Sequence, residues 1–426
     1  MSYASKLFVT SVSLYWSPSM QFTKRDLLLF FSSIIALAAS QPEFNRAAAQ
    51  APEDPLNSLS ETIRFASFNI SFYRSKAGEL KQELSDSTSA NPKKIAEIIQ
   101  RVRPDVILLN EFDYDAAEKG IDGFQANYLG ISQNGNSPIH YRYVFSDAVN
   151  TGVDSELDLD GNGSKSTAND AFGFGRFPGQ YGMVVLSKFE ISKTEVRTFK
   201  NFLWKDMPSR LVPRDNDQQP FYSTEVMERF RLSSKSHWDI PIRTKGKTIH
   251  FLVAHPTPPV FDGPEDRNGC RNHDEIKFFS DYVTEGKSKY IYDDNGQKGG
   301  LSPTELFVIA GDMNADENDG DSTENAARLL TKNPRINNSN PPKSSGGKYY
   351  SQTQGGVNLK QKGNAEFDTS DFGDSNVGNL RLDYCLPSAN LKVKSSGVFW
   401  PKPNESGADL IDASDHRLIW LDLQID

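Results

Sequence analysis

Six strand-like runs in this chain each end in, or open with, a side chain suited to metal or phosphate chemistry. Asn69 lies in "IRFASFNI" (63–70) and Glu111 near the end of "DVILLNEF" (105–112). His255 closes "TIHFLVAH" (248–255), and Asp312 and Asn314 close "ELFVIAGDMN" (305–314). Asp383 interrupts "RLDYCLPS" (381–388), and Asp415 and His416 stand at the mouth of "HRLIWLDLQ" (416–424). Taken singly, each has an ordinary explanation. Asn69 suits a turn or strand end; Glu111 suits a solvent-facing end; "GDMN" suits a turn; Asp383 suits a buried backbone N–H; Ser414-Asp415-His416 suits another turn. Taken together they have a different one. Strand ends gathered on one edge of a sheet hold side chains rigidly over a common point, and six in succession point to one site suited to metal or phosphate chemistry.

The elements that must position these residues alternate along the chain. "DVILLNEF" is a continuous apolar run, which predicts a buried strand. "NPKKIAEIIQRVRP" (91–104) carries apolar residues at 95, 98, 99 and 102 between two prolines, which predicts a helix. "YGMVVLSK" (181–188) and "WDIPIRT" (238–244) add strands, and "NHDEIKFFSDYVTE" (272–285) predicts a second helix with Ile276, Phe279 and Val283 on one stripe. Segments 134–180, 206–225, 286–303 and 333–379 read as long loops rich in Gly, Asn, Asp, Ser and Lys; loops of that length usually carry function or stay unstructured. Strands interspersed with helices, and no dividing linker, predict one α/β sandwich domain.

"FNI", "NEFD", "AHPTPP", "GDMNAD", "RLDY" and "SDH" occur in the order found in the endonuclease/exonuclease/phosphatase superfamily, and the chain resembles its secreted bacterial members from about residue 60 to 426. The resemblance implies a DNase I-like fold: an α/β four-layer sandwich of two packed mixed β-sheets flanked by helices. It implies that Glu111 binds Mg²⁺, an ion that takes few carboxylates and keeps water and phosphate oxygens. Asn69 and Asp415 would lie beside that metal. Asp312 would orient or deprotonate the attacking water, Asn314 would contact the phosphate, and Asp383 would hold His416 against the phosphoryl group. "AHPTPP" resembles the His-x-x-Pro segment of the DNase I branch, which implies that His255 protonates the leaving group; a histidine titrating near neutrality suits that task. Arg267, Arg271 and His273, in the segment that follows, are further candidates for substrate binding. His140, His237 and His250 read as structural. "DLDGNGS" (158–164) places Asp158, Asp160 and Asn162 at positions 1, 3 and 5 of a calcium loop, with Asn169 where a bidentate Glu is expected and Asp170 one residue late. Structural Ca²⁺ is the cofactor reading there, and a Gly-rich acidic turn is the plainer one.

The N-terminus predicts export. Lys24 and Arg25 precede the apolar run 27–39, too short to span a membrane, and Ala49-Gln50-Ala51 offers a cleavage site. "TKRDLL" (23–28) resembles a weakened twin-arginine signal. Residues 1–51 are therefore expected to be an export signal and cleavage region, residues 52–426 a single catalytic domain, and the product periplasmic or extracellular. Only Cys270 and Cys385 are present, and spacing leaves their pairing open. The net charge of −9 differs from that of a strongly basic nucleic-acid binder, although a bound cation can reverse the sign of a pocket. The leading reading is an exported Mg²⁺-dependent phosphoester hydrolase, with Mn²⁺ as a substitute ion. It would act as a phosphodiesterase on nucleic acid, a nucleotide or a phospholipid headgroup, by in-line attack of water. "FGFGRFPGQYG" (172–182) offers aromatic and glycine residues to line a pocket for a smaller group. The alternative is a phosphomonoesterase on small organic phosphates, which a basic cluster would favour. A non-catalytic binding module would have lost a core residue, and none is lost. The partner is thus a phosphate ester, with no obligate protein partner and a monomeric state.

Overall fold

The computed structural model describes residues 62–425; the expected export signal lies outside them. In chain order the strands are β1 (Thr62–Phe72), β2 (Val106–Phe112), β3 (Tyr143–Phe145), β4 (Met183–Ser187), β5 (Glu190–Ile191), β6 (Arg197–Thr198) and β7 (His237–Thr244). They continue with β8 (Lys247–Ala254), β9 (Leu306–Asp312), β10 (Ser370–Asp371), β11 (Asn379–Leu380), β12 (Asp383–Pro387), β13 (Lys392–Val398) and β14 (Ile419–Gln424). One sheet has the order β13–β14–β1–β2–β4–β3, and the second runs β12–β9–β8–β7–β5 with β6 also on β7. Only β1/β2 and β8/β9 pair in parallel. A parallel pair needs a crossover, and each crossover contains a helix: α1 (Ala90–Val102) in the first, α2 (Arg267–Val283) in the second.

Side-chain alternation explains the layering. In β1, Ile63 and Phe65 point into a core shared with Trp238, Ile240, Phe251, Val253, Val308 and Ala310, so this core lies between the sheets. Ala66, Phe68 and Ile70 face the other way, onto Ile95, Ile98, Ile99 and Val102 of α1. Likewise Phe307 and Ile309 of β9 pack on Ile276, Phe279 and Val283 of α2. Helix, sheet, sheet and helix thus form four layers, with Phe65 and Phe251 touching across the middle at 5.3 Å between ring centroids. Truncating such a buried aromatic costs about 3–5 kcal/mol.

Several local expectations need correcting. The second helix begins at Arg267, five residues before the expected start. Segment 333–379 holds a helix, α3 (Ser345–Gln354), that its sequence "SGGKYYSQTQ" does not advertise because it lacks an apolar stripe. Tertiary packing makes it: Tyr350 stacks on Trp400 at 5.8 Å, and Gly346 lies where a Cβ would sit 1.9 Å from Trp400 O. The short or polar strands β3, β5, β6, β10, β11 and β13 also carry little hydrophobic signal. Cys270 and Cys385 are buried and unpaired. Among the described residues no helix is long and apolar enough to cross a membrane.

One glycine sets the geometry of the functional edge. Gly311 has φ 149°, and a Cβ there would lie 2.0 Å from Ala254 O, so β9 passes directly against the end of β8. This approach brings the residues after Ala254 beside those after Gly311. Gly311→Ala is expected to destabilise the fold by roughly 2–4 kcal/mol, since backbone would have to move to admit the methyl group. A denaturant midpoint equal to that of the parent chain would refute this.

Candidate active site

The period of two carries the polar residues into one place. The inward positions of β1 are 63, 65 and then Asn69; those of β9 are 308, 310 and then Asp312; those of β8 are 251, 253 and then His255. Cys385 faces inward on β12, so Asp383 does as well. These positions lie at the C-terminal ends of β1, β8 and β9 and at the N-terminal end of antiparallel β12. The apolar core between the sheets therefore gives way, at one edge, to a set of buried polar groups.

Asp312 is the centre of the set. Its Oδ2 accepts from Asn69 Nδ2 at 3.1 Å and lies 3.4 Å from His255 Nε2 and 3.5 Å from His416 Nε2. Its Oδ1 accepts from Asn314 N at 2.9 Å, and its own N–H donates to Asn110 Oδ1 at 3.3 Å. Asp383 faces Asp312 directly across the β9/β12 ladder. His416 joins them, with Nδ1 2.8 Å from Asp383 Oδ2. One ligand atom from each of Asp312, Asp383 and His416 falls within 4.8 Å of the others.

The charges follow from burial and pairing. Burial alone would lower the His416 pKa, but Asp383 and Asp312 overcome it and hold the imidazolium well above the usual histidine range. Burial would raise Asp312; His416 and then His255 outweigh that and keep its carboxyl well below the usual carboxylate range. Burial pushes Asp383 up to about 6, against His416. Burial, then the neighbouring Lys235, pushes His255 down to about 4. This corrects the expectation of a near-neutral titration at His255. The imidazole is neutral at pH 7 because it is dry and next to a cation, and the protonated histidine is His416.

Glu111 is placed by a break in the β alternation. It has φ 62°, and the β1/β2 register slips so that Asn69 pairs with Asn110 while Phe72 pairs with Phe112. The turn brings Glu111 within the influence of His416, Asn69, Asp312 and Asp415. Burial pushes its carboxyl up to about 7; His416 and Asn69 oppose the rise, and Asp312 and Asp415 add to it. Asp415 is exposed at the rim and accepts from Ser71 Oγ at 3.1 Å. Ser414 Oγ donates to Asn69 O at 2.8 Å and accepts from His416 N at 3.1 Å, which ties the last turn to β1. Asn314 donates its side-chain amide to Pro256 O at 3.1 Å and braces the two strand exits together.

The chain contributes groups that the sequence did not mark. Lys235 is buried in the run Ser233–Ser236, makes no ion pair within 4 Å among the described residues, and experiences the charges of Glu275, Glu111 and Asp312. Burial lowers its pKa against those carboxylates. Glu275 of α2 accepts from Ser234 N at 2.6 Å and Thr257 N at 2.7 Å, so one helix residue positions both the Lys235 run and the segment after His255. Asn272 of α2 donates to Thr257 O and Met313 O, clamping the exits of β8 and β9. Thr369 Oγ1 accepts from Leu382 N and Asp383 N and fixes the start of β12. A lysine between serines has no periodic signature, and Glu275 reads locally as an ordinary helix acid.

The basic residues expected to meet substrate are engaged elsewhere. Arg271 is buried, donates to the carbonyls of Leu232, Phe172 and Arg231, and lies over Phe230. Arg267 pairs with Glu265 and lies over Phe221. His273 is buried with Nδ1 2.9 Å from Asp274 Oδ1. The structure does not bring these three to the Asp312 cluster, because the start of α2 directs them into its own packing. In the expected calcium loop, carboxylates of Asp158, Asp160 and Asp170 converge within 4.8 Å. Asn162 instead donates to Asp160 at 2.9 Å, and Asp158 accepts from the backbone of Gly161, Asn162 and Gly163.

Residues 66–416 match the sequence profile of the Endonuclease/Exonuclease/phosphatase family. No curated protein matches the chain. Among solved structures, a family protein from Leptotrichia buccalis is similar at 15% identity, covering 85% of this chain and 100% of its own, with a TM-score of 0.43. A beta toxin variant from Staphylococcus aureus with bound magnesium ions is similar at 16% identity over 84% of this chain and 99% of its own, TM-score 0.43. Truncated TDP2 from Caenorhabditis elegans shares 16% identity over 85% of this chain and 98% of its own, TM-score 0.40.

The opposite protonation of the two site histidines is directly measurable. In the metal-free protein, imidazole NMR should show His255 neutral until the pH falls toward about 4, and His416 still charged when the pH rises past the ordinary histidine value. Asp383→Asn should move the His416 titration down toward about 6.5. An unmoved His416 titration in that variant would sink the pairing argument.

Proposed function

The chain belongs to the endonuclease/exonuclease/phosphatase family, and from that premise we propose that it is a divalent-metal-dependent phosphodiesterase exported from the cytoplasm. The observation that carries the reading is the convergence of Asn69, His255 and His416 N–H groups on Asp312 Oδ2. Those donors and that acceptor are what a phosphoryl group and its attacking water require in one place.

Asp312, kept ionised, aims the attacking water at phosphorus and takes its proton as the new P–O bond forms and the bond to the departing oxygen breaks. Asn69, His416 and Lys235 offer N–H donors and positive charge to the phosphoryl oxygens. Asp383 holds His416 protonated and oriented, so this side chain carries a proton at neutral pH for the departing oxygen. Neutral His255 contributes a hydrogen bond without adding charge. Asn314 and Asn272 keep the strand exits in place, which maintains the alignment that in-line attack demands.

The donor set fits a magnesium-type ion. Glu111 is a carboxylate held near excess negative charge from Asp312 and Asp415, and the Asn69 amide adjoins it. The Glu111 and Asp415 carboxylates are hard oxygen groups, few in number, which suits Mg²⁺ and the similar Mn²⁺. When bound, the ion neutralises charge on a phosphoryl oxygen as a Lewis acid. Glu111 and Asp415 are the residues that would hold it, with the Asn69 amide donating to Glu111 beside them.

A diester is favoured over a monoester by the charge at the site. Carboxylates Glu111, Asp312, Asp383 and Asp415 face two cationic side chains, His416 and Lys235. Arg267 and Arg271, the arginines expected to grip a phosphate, are committed elsewhere. A singly charged diester meets less repulsion there. Export rests on the N-terminal pattern alone.

The chain from Pro52, stripped of metal, should hydrolyse bis(p-nitrophenyl) phosphate on addition of Mg²⁺, and the monoester much more slowly. His416→Ala should reduce kcat/KM by roughly 10²–10⁴-fold, and Glu111→Gln should remove the response to Mg²⁺. Cleavage of the monoester alone would replace this reading with a phosphatase. Lys235→Met should lower kcat/KM about 10–100-fold, the loss of one charged hydrogen bond; an unchanged rate would remove Lys235 from the site.

A further inference from the structure

Beside Glu111 stands a group of aromatic side chains that the hydrolytic chemistry does not use. Tyr73 follows the end of β1, Tyr181 precedes β4, and Phe174 lies in the glycine-rich segment between β3 and β4. Tyr73 and Tyr181 rings are 4.7 Å apart at 38°, and Tyr181 and Phe174 rings 6.4 Å apart at 40°. Tyr73 is 42% exposed and Phe174 52% exposed, unusual for large rings in a chain that buries most of its others. The row is contiguous with the site. Tyr73 lies two residues beyond Ser71, which bonds Asp415, and both phenols experience the charge of Glu111.

The row is also built to keep its shape. Buried Asp113, two residues after Glu111, accepts from Arg74 N at 2.8 Å and from Tyr181 N at 3.0 Å, so one carboxylate fixes the backbone beside both tyrosines. Buried Gln180 donates to Arg74 O at 2.7 Å and accepts from Arg176 N at 2.8 Å. Tyr181 itself is held at φ 57°, an uncommon conformation for a bulky residue that the surrounding bonds must sustain.

We propose that Tyr73, Tyr181 and Phe174 form a stacking shelf for a nucleobase, so that the substrates are nucleotidyl phosphodiesters. The inference rests on the phosphodiesterase reading for its phosphate site. Geometry and charge select the occupant. Aromatic cages for quaternary ammonium groups surround the cation with ring faces, whereas these rings tilt by about 40° and make an open, stepped surface that suits a flat group. Exposed Arg176 lies close enough to Tyr181 to act on its phenol and makes no ion pair among the described residues. A free cation at the shelf disfavours a cationic lipid headgroup and suits an anionic sugar–phosphate strand. The acidic remainder of the chain favours a short or single-stranded substrate over a long duplex.

The test separates the shelf from the hydrolysis. Binding of adenosine 5′-monophosphate, ribose 5-phosphate and phosphocholine to the Mg²⁺-loaded protein is measured by calorimetry. Adenosine monophosphate should bind at least about tenfold tighter than ribose 5-phosphate. The ratio should fall to near one in Tyr73→Leu/Phe174→Ala and recover in Tyr73→Trp/Phe174→Trp, with melting temperatures confirming folded variants. Equal affinity for the two sugar phosphates in the parent protein, or tighter binding of phosphocholine, overturns the shelf. Absence of ester cleavage alongside a preserved base preference would overturn the hydrolase reading and leave the shelf standing.

Discussion

His416 lies between two carboxylates that could not otherwise share their position. Asp312 and Asp383 are directly opposed on antiparallel strands, on the same inward face, and almost without solvent. Like charges so placed repel, and burial removes the water that would soften the repulsion. The imidazolium resolves this by facing both. The two aspartates belong to the second sheet and His416 leads into β14 of the first, so the same interaction fastens the sheets together at the functional edge. Asn69 to Asp312 and Asp312 to Asn110 cross the same gap. Elsewhere apolar packing joins the sheets; here directional bonds fix their relative position. Removing one member of such a buried set costs about 3–5 kcal/mol, because its partners keep their charge and lose their compensation.

That constraint also sorts the protonation states. A dry pocket with two close carboxylates stabilises a charged imidazole, while a second imidazole beside a lysine is driven neutral. Two histidines a few ångströms from the same oxygen therefore differ in charge through their neighbours alone. Negative charge from Asp312 and Asp415 reaches Glu111, and the Asn69, His255 and His416 nitrogens meet at Asp312. Cation-binding carboxylates and N–H donors in one place suit a phosphoester. Tyr73 and Tyr181 lie within the influence of Glu111, and the proposed shelf would meet the group attached to the phosphate.

Much of this was legible in the residues. The strand runs around Asn69, Glu111, His255, Asp312 and Asp383 lie within a few residues of their expected positions, because buried strands carry strong apolar signals. The residues flagged at their ends do converge. Lys235 was missed because neither its type nor its serine neighbours separate a site lysine from a surface one. Arg271 is the converse: an arginine in a polar stretch reads as free, and only packing shows its guanidinium spent on three carbonyls. The helix at Ser345–Gln354 was invisible because its stability comes from Trp400 and not from its own pattern.

The sequence by itself determined where the strongly apolar strands run, since a period of two and an apolar run are local properties. It also determined the chemical types at those ends, which suit metal or phosphate chemistry. The tertiary structure decided which ends meet, the charge each group carries, and which cations remain free to act. Those depend on desolvation and on neighbours hundreds of residues away, such as Asn69 and Asp312 or Ser71 and Asp415. No local pattern encodes the distance between two strands of different sheets, and that distance is what turns six polar strand ends into one site.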